Sequence, residues 1–100
     1  MNHEPRYRIY EADERVTALL VQLVQEHSRA FDMRAALDFL LAKDPRYEAT
    51  KLGEKNSDEV YVKATSAGYP GIPRLFLLYV INEAAKVIVI HSGHLIPPSS

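Results

Sequence analysis

No cysteine occurs among the 100 residues of this chain. That excludes disulfide frameworks and zinc–thiolate centres, and it fits a reducing compartment. An excess of either charge is missing too: 12 Lys and Arg face 13 Asp and Glu, for a formal net charge of -1. Proteins that grip nucleic acid across a broad surface carry a basic surplus, so any such contact here is confined to a local patch. No segment has the length of a membrane span, and the opening Met-Asn-His-Glu-Pro has no apolar signal core. The expectation is a cytoplasmic protein without a membrane partner. A glycine-rich phosphate loop, a nucleophile elbow and internal repeats are likewise absent, which leaves P-loop and serine-hydrolase chemistry without support.

What is present is apolar. Leu75 to Ile81 run Leu-Phe-Leu-Leu-Tyr-Val-Ile, Asn82-Glu83-Ala84-Ala85 break the run, and Val87-Ile88-Val89-Ile90 resume it before His91-Ser92-Gly93-His94. A strand with one face in water alternates polar and apolar residues, and these two do not. The pattern predicts a β-hairpin that is apolar on both faces. The chain's own helices serve one face. The other requires a cover, either a partner or a second copy of the chain.

Around the hairpin, Arg6 to Tyr10 alternate as a short strand, and Glu11 to Glu26 read as a helix with Val16, Leu19, Leu20, Leu23 and Val24 on one stripe. His27-Ser28 is a break, with Ser28 the candidate N-cap of the next helix. That helix runs from Arg29 to Lys43 with Met33, Ala36, Leu37, Leu40 and Leu41 inward, and Asp44-Pro45 ends it. Pro45 to Asp58 reads as a long polar connection. Glu59 to Thr65 is a half-exposed strand, with Val60, Val62 and Ala64 on one face and Tyr61 and Lys63 on the other. Ser66 to Pro73, with two glycines and two prolines, is a loop, and Pro97 to Ser100 form a tail. The expected fold class is α+β, one domain over 1–96 followed by a tail at 97–100. It holds an N-terminal strand, a helical hairpin and a three-stranded antiparallel meander in two layers.

That order, with certain residues, resembles the RelE/ParE superfamily of bacterial toxins from about Tyr7 to His94. Leu40-Leu41-Ala42-Lys43-Asp44-Pro45-Arg46 is similar to the family's Leu-Leu-x-x-[Asp/Asn]-Pro-Arg at the end of its second helix. Lys51-Leu52, Leu77-Leu78-Tyr79-Val80-Ile81-Asn82 and Gly93-His94 match further family patterns in order and spacing. The resemblance implies a two-layer RelE/ParE-like fold and a toxin of a type II toxin–antitoxin system. One branch of the family cleaves mRNA on the ribosome and another poisons DNA gyrase. Both are neutralised by a small antitoxin, and fold alone does not choose between them.

A ribonuclease of this kind needs cations at the scissile phosphate and a group to move the 2′-hydroxyl proton. The resemblance implies Lys-x-Lys on the half-exposed strand, where this chain has Tyr61-Val62-Lys63, so only Lys63 matches. An arginine belongs where Phe76 stands; Arg74, two residues earlier and on the same strand face, is the substitute. The family's basic residue after Gly-His is Leu95 here. His94, with His91 nearby, is the candidate proton carrier. The catalytic candidates are therefore Lys63, Arg74 and His94, a reduced set. Arg46, Lys51 and Lys55 are the nucleic-acid-binding candidates, although Lys51 and Lys55 beside Glu48 and Glu54 also read as a solvated surface.

Each residue has an ordinary reading as well. Lys63 fits a solvated edge charge, Arg74 a strand-end contact, and Tyr61, Tyr69 and Tyr79 packing rather than base stacking. No metal site and no cofactor is expected, because His91 and His94 lack a third ligand. Two functions follow. One is a toxin acting on translation or gyrase and bound by a small antitoxin. The other is a catalytically decayed module that binds protein or forms a homodimer.

Overall fold

The structure, a computed structural model, describes residues 6–65 and 71–97. Tyr69, most of the glycine–proline loop and the last residues of the tail lie outside them. Seven elements follow one another: β1 (Arg8–Glu11), α1 (Glu14–Glu26), α2 (Ala30–Lys43), β2 (Thr50–Lys55), β3 (Asp58–Ala64), β4 (Arg74–Asn82) and β5 (Val87–Ile96). The five strands form one sheet in the order β1-β5-β4-β3-β2. β1 lies parallel to β5, and the other neighbours are antiparallel. The α+β class and the strand–helix–helix–strand order expected from the sequence are those observed.

Local chemistry sets the boundaries. α1 begins at Asp13, whose Oδ1 accepts the Val16 amide at 3.0 Å, so the helix starts later than its apolar period implied. Ser28 does not cap α2. The residue in that place is Arg29, which makes no side-chain cap bond, and the Arg29 amide donates to His27 Nδ1 at 3.1 Å instead. α2 ends at an extended Asp44 ahead of Pro45, as the proline requires.

The expected three-stranded meander has four strands. β2 lies within the stretch read as a long connection, and it turns into β3 through Asn56 and Ser57, with φ of 52° and 72°. Two left-handed residues are what a tight two-residue hairpin demands.

The core lies between the helices and one face of the sheet. Leu20 and Leu23 of α1 and Leu37 and Leu41 of α2 pack on Leu75, Leu77, Tyr79 and Ile81 of β4 and Ile88 and Ile90 of β5. Each fully buried Leu or Ile contributes roughly 1.5–3 kcal/mol of transfer free energy. Tyr79 is buried, and its hydroxyl donates to the Pro45 carbonyl at 2.5 Å, tying β4 to the chain that leaves α2.

Both helices lie against this face. The alternate residues of β4, Phe76, Leu78 and Val80, point to the other face and are half-buried. Val60, Val62 and Ala64 pair with them from β3, and Val89 pairs with Val80 from β5. The hairpin is therefore apolar on both faces, and among the described residues no helix covers the second.

Candidate functional site

The catalytic candidates divide between the two faces of the sheet. Lys63 pairs with Leu77 and so faces the core side, where it is only 4% exposed. It is not a solvated edge charge. Its Nζ donates to the Tyr47 carbonyl at 2.6 Å and lies 5.6 Å from the Tyr47 ring centroid. The lysine stem runs along apolar surface and its head reaches the rim, where a carbonyl and an aromatic face receive it. Tyr61, two residues earlier, is buried with it, so the Tyr-Lys face of β3 is the inner one and its valines look outward.

Arg74 and His94 occupy the open face. Arg74 Nε donates to the Thr65 carbonyl at 3.1 Å, and its guanidinium carbon sits 4.9 Å from the Phe76 ring centroid. Phe76 pairs in turn with His94. What brings His94 there is a bulge. Ile90 pairs with Tyr79 and Ser92 with Leu78, so His91 is an extra residue in β5. The insertion flips the alternation: Ile88 and Ile90 face the core before it, and Gly93 faces the core after it. Were His91 held in regular alternation instead of a bulge, His94 would point at α1. The open face thus holds a cation, an aromatic ring and an imidazole in one corner, with Lys63 on the far side of the sheet.

The nucleic-acid candidates are engaged in ion pairs or stand apart. Arg46 Nη2 meets Glu59 at 2.9 Å, and Nη1 meets Glu83 at 2.9 Å and the Tyr7 hydroxyl at 3.3 Å. The Glu59 carboxylate pushes the Arg46 pKa above its ordinary value, and Arg46 lowers that of Glu59. Lys51 pairs with Glu54 at 2.5 Å and lies 3.9 Å from Glu59. Lys55 is exposed at the end of β2, beside the hairpin turn. Arg46 and Lys51 thus meet at Glu59, where acidic side chains offset their charge. Tyr61 and Tyr79 stack on each other, with centroids 6.2 Å apart and both rings buried, which leaves neither free to stack on a base.

The chain is similar to one in the crystal structure of the archaeal RelE–RelB complex from Pyrococcus horikoshii OT3. The two share 21% identity with a TM-score of 0.52, over 92% of this chain and 94% of that one. The fold is that of RelE. No protein-family model and no curated protein matches the chain.

On this RelE-like framework the sequence left three features unread. Tyr47 caps Lys63 from the connection after α2, a contact no local pattern signals. Thr65 is the second: its hydroxyl accepts the Leu75 amide at 3.0 Å and its carbonyl receives Arg74, fixing both ends of that corner. The third is the set of charges around Glu83. Among the described residues no group of three or more His, Asp or Glu is placed to hold a metal ion, and no helix is long and apolar enough to cross a membrane.

Proposed function

We propose that this protein is the toxin-like component of a toxin–antitoxin pair, and that a small antitoxin covers the open face of its sheet. The observation that carries this reading is the unbroken apolar surface of Val60, Val62, Phe76, Leu78, Val80 and Val89, left uncovered by the chain's own helices. The likeness to RelE, solved there as a complex with RelB, supports a partner of that kind. An apolar sheet face of this extent is a protein-binding surface rather than an ordinary solvated one.

Toxicity would act on translation, through mRNA cleavage, or on gyrase. For cleavage, Arg74 would stabilise phosphate charge and His94 would carry the proton. The burial of Lys63 on the opposite face favours the second reading, a module with the RelE fold that binds protein without catalysis. Inducible expression of the wild type beside Arg74→Ala and His94→Ala separates them. Growth arrest with mRNA cleavage that both substitutions abolish supports the ribonuclease. Arrest with altered supercoiling and no effect of either substitution supports gyrase. Normal growth, translation and supercoiling leave only the binding module.

A further inference from the structure

A cavity of about 590 Å³ opens where the start of β1, the end of α2 and the β4–β5 turn meet, away from the open sheet face. Arg6, Lys43, Arg46 and Lys86 line it, against Asp44 and Glu83. The local balance is four cations to two carboxylates, in a chain whose net charge is -1 with 12 Lys and Arg in all. A third of the basic residues thus gather at one small concavity.

Three of its donors already converge on an anion, and that anion belongs to the chain. The Tyr7 hydroxyl donates to Glu83 Oε1 at 2.8 Å, Arg46 Nη1 meets the same oxygen at 2.9 Å, and Lys86 Nζ pairs with Oε2. Lys86 and Tyr7 hold the Glu83 carboxyl at a pKa of about 2, a sign of how strongly the cradle favours negative charge. Glu83 sits on the β4–β5 turn with its side chain 45% exposed, within reach of solvent. Arg6 and Lys43 are exposed, and neither makes an ion pair among the described residues.

We infer that this cavity is a phosphate site, taking the terminal phosphate of a small phosphomonoester in place of the Glu83 carboxylate. The volume lies in the range of small-molecule pockets. The net positive balance favours a dianionic monoester over the single charge of a diester. A planar guanidinium, an ammonium and a hydroxyl provide the mix of donors that phosphate oxygens accept. Glu83 acts as an internal competitor that keeps the donors ordered while the site is free. This inference stands apart from the proposed function, because none of these residues lies on the open sheet face.

The test is an amide chemical-shift titration at constant ionic strength with inorganic phosphate, a nucleoside 5′-monophosphate and dimethyl phosphate. Saturable shifts at Tyr7, Lys43 to Arg46 and Glu83 to Lys86 are expected with the first two, and weaker binding with the diester. Arg6→Ala and Lys43→Ala should each weaken binding about three- to tenfold, and Glu83→Gln should tighten it by a similar factor. Tighter binding of the nucleotide than of inorganic phosphate identifies a phosphorylated metabolite; equal binding identifies the free ion as ligand enough. The inference is overturned if no shift saturates by about 20 mM phosphate, or if shifts centre on Lys51 or Arg74. It is also overturned if Glu83→Gln, with an unchanged circular dichroism spectrum, fails to tighten binding.

Discussion

One inserted residue, His91, decides which side chains of β5 reach the helices and which reach the open face. Its consequence is a glycine where α1 comes closest. A Cβ built on Gly93 would stand 2.6 Å from Leu20 Cδ2 and 3.1 Å from Leu23 Cδ1, both on buried side chains. Replacing Gly93 by Ala therefore sets two effects against each other. Reduced freedom of the unfolded chain favours the alanine by about 0.4–1 kcal/mol. Overpacking of a filled core costs about 1–3 kcal/mol, and both leucines are buried. The net expectation is a loss of about 1–2 kcal/mol, read as a lower urea midpoint with an unchanged slope. An unchanged or higher midpoint would mean that α1 moves away at little cost, and that the close approach at Gly93 is not a constraint on the bulge.

At the scale of elements, charge joins what packing does not. Arg46, just beyond α2, links to Glu59 at the start of β3 and to Glu83 in the β4–β5 turn. On the other side Arg34 of α2 meets Glu11 of β1 at 3.1 Å. All three carboxylates have lowered pKa values: Glu59 through Arg46, Glu83 through Lys86 first, and Glu11 through the Thr17 hydroxyl first and then Arg34. A group whose folded pKa is depressed stabilises the fold above its unfolded pKa, and that contribution is lost as pH falls through the folded value. Stability should thus hold level above about pH 4.5 and decline as pH falls from there toward about 2, the value for Glu83. Because these groups are partly exposed, solvent and salt screen the pairs and weaken their contribution. Arg46→Met should lower the thermal midpoint at pH 7 and shallow the acid decline. An acid decline of wild-type steepness in that variant would show that the Arg46 pairs do not contribute to it.

The same scale explains what was legible. The β4–β5 hairpin announced itself because Leu75–Ile81 and Val87–Ile90 are apolar on both faces, one buried in the core and the other half-buried on the open side. α1 and α2 showed helical stripes because each buries one side. β2 was hidden because Thr50–Lys55 is an edge strand that buries no residue, so no period of two is written into it. Its mark was the Asn56-Ser57 pair, a turn signal rather than a strand signal. The site was less legible for a related reason. Residues two apart on one strand share a face, so Arg74 and Phe76 were placed together correctly. Which way β3 faces relative to β4 depends on register, and no local pattern states that register. The buried side of β3 carries Tyr61 and Lys63, the more polar pair, because the helices stop short of it and Tyr47 receives the ammonium there.

For the whole molecule the unsettled surface is the open face of the sheet, and Val80 lies at its middle, paired with Val60 on one side and Val89 on the other. A lysine there keeps its stem along the neighbouring valines and lifts its charge into water, so the free chain loses little stability. A docked partner experiences the substitution differently. It must bury that ammonium without a counter-charge at the centre of the contact, where a few residues carry most of the binding energy. If a small antitoxin docks there as proposed, Val80→Lys is expected to weaken its affinity by at least 2 kcal/mol, about thirtyfold, in a titration of the two proteins. Arg74 and His94 lie on other rows of the same face, so the variant separates docking from chemistry. If the wild type arrests growth, Val80→Lys should arrest it equally and escape rescue by the antitoxin. Rescue as complete as for the wild type would place the partner elsewhere, on the exposed Phe31 and Phe39 of α2 or along the β2 edge. The apolar second face of the hairpin would then have to be covered by another copy of the chain, and sedimentation of the wild type against Val80→Lys would show a dimer in the first and a monomer in the second.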